Sequence, residues 1–194
     1  MNFIAIETST NICSVALFVD SKLVDILEKE TNDHSKCLPV FVNDFLKNKN
    51  NFLDYIALST GPGSFTGLKV SSAFSKGLAT ALQLPIIPIN TFDGIRYNIE
   101  DINNYCIAIY SHKDYAFVGF YNNTSTKSKY KCMVINKIFE QTIYGYGFPK
   151  DLNIEYKAIK PNAASIGFLS LEKFDSFKNK SIDNINPIYL LVEK

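Results

Sequence analysis

The sequence contains no tryptophan, two histidines and a single arginine, Arg96, so 19 of its 20 basic residues are lysines. An arginine guanidinium makes the paired hydrogen bonds to phosphates and base edges that a lysine ammonium cannot reproduce. The 20 basic residues are balanced by 19 acidic ones, which leaves a net charge of +1. This charge gives no general attraction to nucleic acid or anionic lipid, so we do not expect the chain to hold nucleic acid without a partner.

Residues that bind metals are few and scattered. The four cysteines are Cys13, Cys37, Cys106 and Cys132. No two of them have CxxC spacing, and His34 and His112 are far apart in the sequence, so neither a zinc knuckle nor a helical two-histidine site is predicted. We therefore predict no metal and no cofactor on this chain, and we interpret the cysteines as buried free thiols.

Long apolar runs are also lacking. The N-terminal residues have no basic region, and Glu7 interrupts their apolar run, so the pattern is not that of a signal peptide. No apolar stretch approaches the roughly 20 residues that span a bilayer. With 46% hydrophobic and 20% charged residues, the composition is that of a globular protein, and we expect a cytoplasmic location with no membrane partner.

Residues 1–90 combine strand-like and helix-like patterns. Short apolar runs rich in β-branched residues predict strands, and apolar residues three and four positions apart predict helices. The predicted strands are Phe3–Glu7, Ile12–Val19, 23–27, 53–59 and Ile86–Ile89, and the predicted helices are 36–47 and 66–82. A three-strand meander followed by alternating helices and strands implies a mixed sheet covered by helices, in the order of the ribonuclease H-like unit.

The strand pattern recurs weakly in the second half. Apolar runs predict three more strands at 105–110, 115–121 and 129–135, followed by a helix near 136–141 and an irregular stretch over 144–160. Only about 60 residues then remain for a second copy of the unit, which must be abbreviated. We predict an α/β protein with an N-terminal lobe of residues 1–100 and an abbreviated C-terminal lobe of residues 101–194.

The segment from Ser59 to Lys69 reads Ser-Thr-Gly-Pro-Gly-Ser-Phe-Thr-Gly-Leu-Lys and leads from a strand into a helix. Ser64 or Thr66 can cap the helix, and the free N–H groups there can face an anion, to which Lys69 would add charge. The alternative is a tight strand-to-helix turn without a ligand. The GxxxxGK[ST] spacing of a P-loop is absent.

Four segments of the first half together resemble the TsaB (YeaZ) family. They are residues 4–10 (Ile-Ala-Ile-Glu-Thr-Ser-Thr), 13–17 (Cys-Ser-Val-Ala-Leu), 34–39 (His-Ser through Leu-Pro) and 61–69. Their order and spacing match over residues 1–95. The run Gly-Pro-Gly-Ser-Phe-Thr-Gly-Leu is quite specific to the family. The residues of this motif loop are Gly61, Pro62, Gly63, Ser64, Phe65, Thr66, Gly67 and Lys69.

The second half departs from the family pattern at two places. Members commonly carry Asp-Ala-Arg where this chain has Tyr110, Ser111 and His112. They often end a Pro-x-Tyr-Leu-Arg run with an arginine, whereas this chain has Leu191.

The resemblance implies an actin-like (ASKHA) fold of two lobes and a non-catalytic role. The chain would act beside TsaD, the paralogous subunit that transfers a threonylcarbamoyl group to tRNA, and beside the ATPase TsaE. These partners would supply metal, ATP and the tRNA contact, and a homodimer is the other assembly considered. The resemblance places a helix-to-helix interface on the two predicted helices. Its predicted residues are Cys37, Phe41, Phe45, Val70, Ser71, Phe74 and Gly77.

An enzyme of the same fold is the alternative. Glu7, Thr8, Ser9 and Thr10 stand where actin-like ATPases have their first phosphate loop, so a vestigial nucleotide site is predicted there. A working site also needs a glycine-rich adenosine loop from the second lobe, and no two glycines are adjacent there. A small nucleotide-dependent phosphotransferase or ATPase is therefore the second hypothesis, and we predict no catalytic residue.

Overall fold

The computed structural model describes residues 1–47, 52–100, 104–122, 130–138 and 142–191. The first lobe begins with strands β1 (Phe3–Glu7), β2 (Ile12–Val19) and β3 (Lys22–Glu30), followed by helix α1 (His34–Leu46), β4 (Tyr55–Ser59), α2 (Phe65–Leu82), β5 (Ile86–Ile89) and α3 (Thr91–Arg96). These elements have the predicted order, and β1, β2 and β5 have the predicted bounds. The strand predicted at 23–27 extends to both sides in β3, and the helix predicted over 36–47 begins two residues earlier, at His34.

The first sheet has the strand order β3-β2-β1-β4-β5. Strand β2 runs antiparallel to both β1 and β3, because short connections can only reverse the chain. Strands β4 and β5 follow helices and extend the sheet in parallel to β1. This is the order of the ribonuclease H-like unit that the sequence predicted.

Helices cover both faces of this sheet. Alternate residues of β1 point to opposite faces, so Ile4 and Ile6 pack under α1 and α2. Phe3 and Ala5 pack on the other face against α4 (Ala163–Phe177). Because both faces are buried, β1 reads as a continuous apolar run rather than as an alternating one.

The second lobe repeats the strand order of the first. Its strands are β6 (Tyr105–His112), β7 (Tyr115–Tyr121), β8 (Tyr130–Val134), β9 (Thr142–Tyr146) and β10 (Lys157–Ala158). The order β8-β7-β6-β9-β10 is equivalent to β3-β2-β1-β4-β5, with the same antiparallel and parallel pairs. Where the first lobe has α1, the described residues of the second have a 3₁₀ turn, Ile135–Lys137, so this copy is abbreviated.

The structure corrects two expectations for the second half. The stretch predicted to be irregular, 144–160, contributes β10 and most of β9 to the second sheet. The helix predicted near 136–141 is a 3₁₀ turn as far as it is described, and residues 139–141 lie outside the described residues, as does residue 129 of the third predicted strand. The predicted division at residue 100 falls between the two sheets in chain order. Helix α4, which the sequence analysis did not predict, then returns to the first lobe.

Within the described residues, no helix is both long enough and apolar enough to cross a membrane.

Candidate functional site

Glu7 is the last residue of β1 and is only 1% exposed. Its Oε1 accepts a hydrogen bond from the backbone N–H of Ser9, whereas no donor with hydrogen-bond geometry reaches Oε2 within the described part of the chain. Burial raises the pKa of the Glu7 carboxyl, because it removes water from around the charged form. The hydroxyl groups of Ser59 and Ser9 and the Ser9 N–H act in the opposite direction.

The loop after β1 is held by the start of α2. The Ser9 carbonyl oxygen accepts a hydrogen bond of 2.6 Å from the backbone N–H of Ser64, and the Thr8 hydroxyl donates one of 3.0 Å to the carbonyl oxygen of Gly67. Two glycines of the motif loop allow this close approach. A Cβ at Gly63 would overlap Ser9, and a Cβ at Gly67 would overlap the Thr8 carbonyl oxygen. The motif loop and the predicted phosphate loop are therefore one packed unit.

Ser64 is the N-cap of α2, since its hydroxyl accepts a hydrogen bond of 3.2 Å from the Gly67 N–H. Of the two capping residues that the sequence offered, Ser64 is thus the one used. Lys69 lies one turn further along, with its Nζ 3.9 Å from the centre of the Phe65 ring. The Lys69 ammonium is engaged with an aromatic face instead of adding its charge to the helix N-terminus.

His34 joins α1 to the same loop. It is the first residue of α1 and is 5% exposed, and its Nε2 lies 3.0 Å from the carbonyl oxygen of Thr10. Burial lowers the pKa of the imidazole, and the hydrogen bond to Thr10 and the charge of Asp33 only partly offset this. The neutral imidazole, with its proton on Nε2 facing the carbonyl, is therefore the form that this site favours.

A cleft of about 690 Å³ separates the two lobes at this loop. Its first-lobe wall is formed by residues 9–11, Thr31, Asn32, His34 and residues 63–66, and its second-lobe wall by residues 109–112, Phe117, Cys132, Tyr146 and Gly147, with Leu190 from the C-terminal segment. Among these described lining residues there is no aspartate, glutamate, lysine or arginine. The cleft is polar through hydroxyl, amide and imidazole groups, but it has no charged side chain that would neutralise phosphates or hold a divalent cation.

Two of the four residues of the predicted phosphate loop line this cleft. Ser9 and Thr10 line it, whereas Glu7 and Thr8 lie behind the lining, inside the first lobe. The described residues contain no group of three or more histidine, cysteine, aspartate or glutamate side chains that could together hold a metal ion.

The predicted interface residues lie at different depths on α1 and α2. Cys37, Phe41, Val70 and Phe74 are half-buried, and Gly77 is exposed, with no atom within 4 Å of the position that a Cβ would take. Phe45 and Ser71 are buried in the first lobe, at 6% and 1% exposure. The surface of α1 and α2 that a partner can reach is therefore formed by Cys37, Phe41, Val70, Phe74 and Gly77, together with Val40, which is 54% exposed.

Sequence reasoning missed the C-terminal contribution to this site. The Ile188 N–H donates a hydrogen bond of 2.7 Å to the Thr60 carbonyl oxygen, and the Tyr189 ring lies 4.8 Å from the Phe65 ring. The signal was present as the family's Pro-x-Tyr-Leu run, but no local pattern shows that residues so far along the chain return to residues 60–65.

The fold and the cleft define the class of this protein. Two copies of the ribonuclease H-like unit facing each other across a cleft are the actin-like (ASKHA) architecture. A sequence model of the family described as "TsaD: tRNA N6-adenosine threonylcarbamoyltransferase" matches residues 28–129, more than half of the 194 residues. The chain belongs to this family.

Two curated TsaB proteins are similar to nearly half of this chain. The chain is 37% identical over 93 residues to the tRNA threonylcarbamoyladenosine biosynthesis protein TsaB of Haemophilus influenzae, and this match covers 46% of this chain and 39% of that protein. It is 34% identical over 94 residues to the protein of the same name from Escherichia coli, and this match covers 47% of this chain and 41% of that protein. The matched part spans about two fifths of the length of these relatives. The resemblance to the TsaB (YeaZ) family is confirmed.

A solved structure extends the comparison to the second lobe. The protein described as YeaZ from Pseudomonas aeruginosa has a TM-score of 0.77 and 21% sequence identity, covering 97% of this chain and 100% of that chain. At this identity the likeness concerns the fold, and it confirms the predicted two-lobed architecture.

Proposed function

We propose that this chain is a TsaB-type, non-catalytic subunit in the biosynthesis of threonylcarbamoyladenosine, the modified adenosine beside the tRNA anticodon. The observation that carries the proposal is the match to two TsaB proteins over nearly half of this chain, at 37% and 34% identity. In the first lobe the motif loop packs onto the loop after β1. The chain would act in the cytoplasm as an activating scaffold, and the chemistry would take place on a partner.

The cleft supports a non-catalytic role. Phosphoryl and nucleotide chemistry depends on carboxylates that hold a metal ion and on cations that neutralise phosphate charge. The described lining residues include neither, and the nearby carboxyl group, that of Glu7, is enclosed in the first lobe.

The partner that we propose is a TsaD-like paralogous subunit, docked on α1 and α2. The outer face of these helices combines apolar side chains with the exposed Gly77, so a helix of the partner could approach closely. A TsaE-like ATPase would be the third member, and the partners would supply metal and ATP. With one arginine and a net charge of +1, this chain would meet tRNA only within the complex.

A phosphotransferase or ATPase of the same fold is the second candidate. It is favoured by one observation, the position of Glu7 at the end of β1 beside two residues, Ser9 and Thr10, that line the cleft. Steady ATP turnover by the isolated chain that disappears in Glu7→Gln would select this candidate.

The test of the first proposal is reconstitution. The purified chain is mixed with a TsaD-like subunit, a TsaE-like subunit and unmodified tRNA, and tRNA modification is measured with and without this chain. We expect a stable complex with the TsaD-like subunit and modification that requires this chain, with no modification and no ATP turnover by the chain alone. Full modification in its absence, or no complex, would refute the proposal.

A further inference from the structure

The two walls of the cleft between the lobes differ in chemistry. The first-lobe wall is mostly polar, because most of its side chains carry a hydroxyl, an amide or an imidazole group. The second-lobe wall is rich in apolar and aromatic side chains, namely Ile109, Tyr110, Phe117 and Tyr146. The volume between the walls, about 690 Å³, lies in the range of about 300–1,000 Å³ that is usual for small-molecule sites. The cleft therefore suits a small ligand that has a hydrogen-bonding edge and a flat apolar face.

Three hydroxyl groups of the first-lobe wall remain available as donors. The side-chain oxygens of Thr10, Thr31 and Ser64 each accept a hydrogen bond from a backbone N–H, at 3.3, 2.9 and 3.2 Å respectively. None of the three hydroxyl groups donates a hydrogen bond to another described residue. A hydroxyl group that accepts through its oxygen still has its own hydrogen to donate. Because the accepted bonds fix the three oxygens, the wall offers donors in set positions to a ligand that carries acceptors.

The same wall has further polar groups without a partner in the described part of the chain. The side-chain amides of Asn11 and Asn32 are exposed and make no hydrogen bond there. Ser9 and His34 are only 1% and 5% exposed, and neither the Ser9 Oγ nor the His34 Nδ1 has a partner with hydrogen-bond geometry there. Buried polar groups usually have such a partner. The fold itself therefore leaves hydrogen-bonding capacity unused at this wall.

The lining also decides the charge of a suitable ligand. None of the described lining residues is an aspartate, glutamate, lysine or arginine, so a bound phosphate group would have no cation to neutralise it. The ammonium group of Lys69, which follows this wall on α2, lies 3.9 Å from the centre of the Phe65 ring. An uncharged ligand needs only hydrogen bonds and apolar contacts, and the two walls provide both.

A purine nucleoside combines the features that the two walls require. The edge of the base carries neighbouring donors and acceptors, which an asparagine side chain can pair with as it pairs with adenine. The flat faces of the base stack on aromatic side chains. The ribose hydroxyl groups form hydrogen bonds without adding charge.

We propose that the cleft binds an uncharged purine nucleoside. The base lies on the second-lobe wall beside Phe117, and its hydrogen-bonding edge faces the hydroxyl and amide groups of the first-lobe wall. The proposal concerns binding and not turnover, and it does not depend on the proposed function, since it requires neither a partner subunit nor tRNA. It also predicts an order of affinity: the nucleoside binds more tightly than its triphosphate, which is the reverse of what a nucleotide-hydrolysing enzyme needs.

The test is isothermal titration calorimetry on the full-length chain. The probes are adenosine, inosine, uridine, glucose and ATP, the last with and without Mg²⁺. We expect at least one of the two purine nucleosides to bind, one per chain, with a Kd below about 1 mM, and ATP to bind about tenfold more weakly or worse. Failure of both purine nucleosides to bind, or ATP binding of equal or higher affinity, would overturn the proposal. Uridine or glucose binding as tightly as the purine nucleosides would overturn the assigned ligand class.

Two pairs of variants locate the bound nucleoside. Phe117→Leu keeps an apolar side chain but removes the aromatic face, and Phe120→Leu makes the same change on the opposite face of β7 as its control. Asn32→Ala removes an exposed amide of the cleft, and Asn186→Ala removes an exposed amide outside the cleft lining. We expect each cleft variant to weaken purine nucleoside binding by about fivefold or more, and each control to leave it unchanged.

The melting temperature separates a lost contact from a damaged fold. Phe117 packs partly in the core of the second lobe, so its effect on binding is compared with that of Phe120→Leu at equal loss of stability. Asn32 is exposed, so Asn32→Ala should keep the melting temperature of the wild type and decides the test if Phe117→Leu does not fold. Cleft variants that bind the nucleoside as tightly as the wild type, or controls that weaken binding equally, would show that the site is not in this cleft.

Discussion

The Thr8 hydroxyl donates a hydrogen bond of 3.0 Å to the carbonyl oxygen of Gly67, and the Thr8 carbonyl oxygen lies where a Cβ at residue 67 would be. The loop after β1 and the start of α2 are therefore fitted to each other at the level of the backbone. This contact places the predicted phosphate loop and the motif loop side by side at the edge of the cleft.

Gly67→Ala is expected to lower the free energy of unfolding by about 1–3 kcal/mol, because the new methyl group overlaps the Thr8 carbonyl oxygen and must push the loop away. Gly77→Ala on the same helix is the matched control, since nothing lies within 4 Å of its Cβ position. Alanine is the better helix former, so the control should gain about 0.5–1 kcal/mol. Urea denaturation measures both, and equal effects of the two changes would contradict the packing described.

Gly77→Leu should weaken binding to a TsaD-like partner by about tenfold or more, or 1.4 kcal/mol, because the side chain adds bulk to the proposed docking face. The melting temperature should not fall, since the position is open and leucine is a better helix former than glycine. The control is Ser176→Leu, an exposed position of α4 on the opposite face of the first sheet. A lower melting temperature of Gly77→Leu, or unchanged binding by it, would show that Gly77 is not part of the interface.

His34 should make the fold sensitive to mild acid. Burial lowers the folded-state pKa of His34 below its ordinary value of 6.5, so the unfolded chain binds more protons than the folded one as the pH falls below 6.5. The stability that neutral His34 contributes is present above that pH and is lost as the pH falls through the folded-state pKa.

His34→Gln, which keeps an N–H donor for the Thr10 carbonyl oxygen but does not titrate, should lose this contribution to the pH dependence. Urea denaturation at a series of pH values should show the gap between wild type and His34→Gln narrowing toward acid. His112→Gln changes an exposed histidine and is the control. A gap that stays constant across the series would mean that His34 is not the titrating group.

Glu7 should lower the stability of the fold as the pH rises, which is the opposite of the effect of His34. Its folded-state pKa is raised above 4.5, so its contribution to stability is present below pH 4.5 and is lost as the pH rises through the raised value. Glu7→Gln, which remains neutral, should therefore be more stable relative to wild type at about pH 8 than at about pH 5. Denaturation of both proteins at the two pH values, with the exposed Glu172→Gln as control, measures this. The same difference at both pH values would show that the buried carboxyl carries no such cost.

Much of the first lobe could be predicted from local patterns. The bounds of β1, β2 and β5, and those of α2 to within one residue, follow from apolar spacing, from the capping Ser64 and from Pro85, which comes after α2. The family motif located both loops, but it did not show that they contact each other. Such patterns are readable because each depends on residues close together in the sequence.

Elements of the second half were harder to predict, because their structure depends on residues that are far away in the sequence. The two residues of β10 gain their strand conformation from pairing with β9 and carry little pattern of their own. Helix α4 is defined by the sheet face that it covers, where Gly167 lies against the Phe18 ring. Neither partner is near in sequence, so neither element was evident.

The sequence by itself determined the class of fold, the motif loop and the family, because spacing and residue type encode local backbone geometry. Only the tertiary structure decided which groups share a space. It buried the Glu7 carboxyl behind the cleft and set His34 against the Thr10 carbonyl oxygen. These relationships join residues on different elements, and their charges, contacts and exposure depend on how those elements pack, which no local pattern specifies.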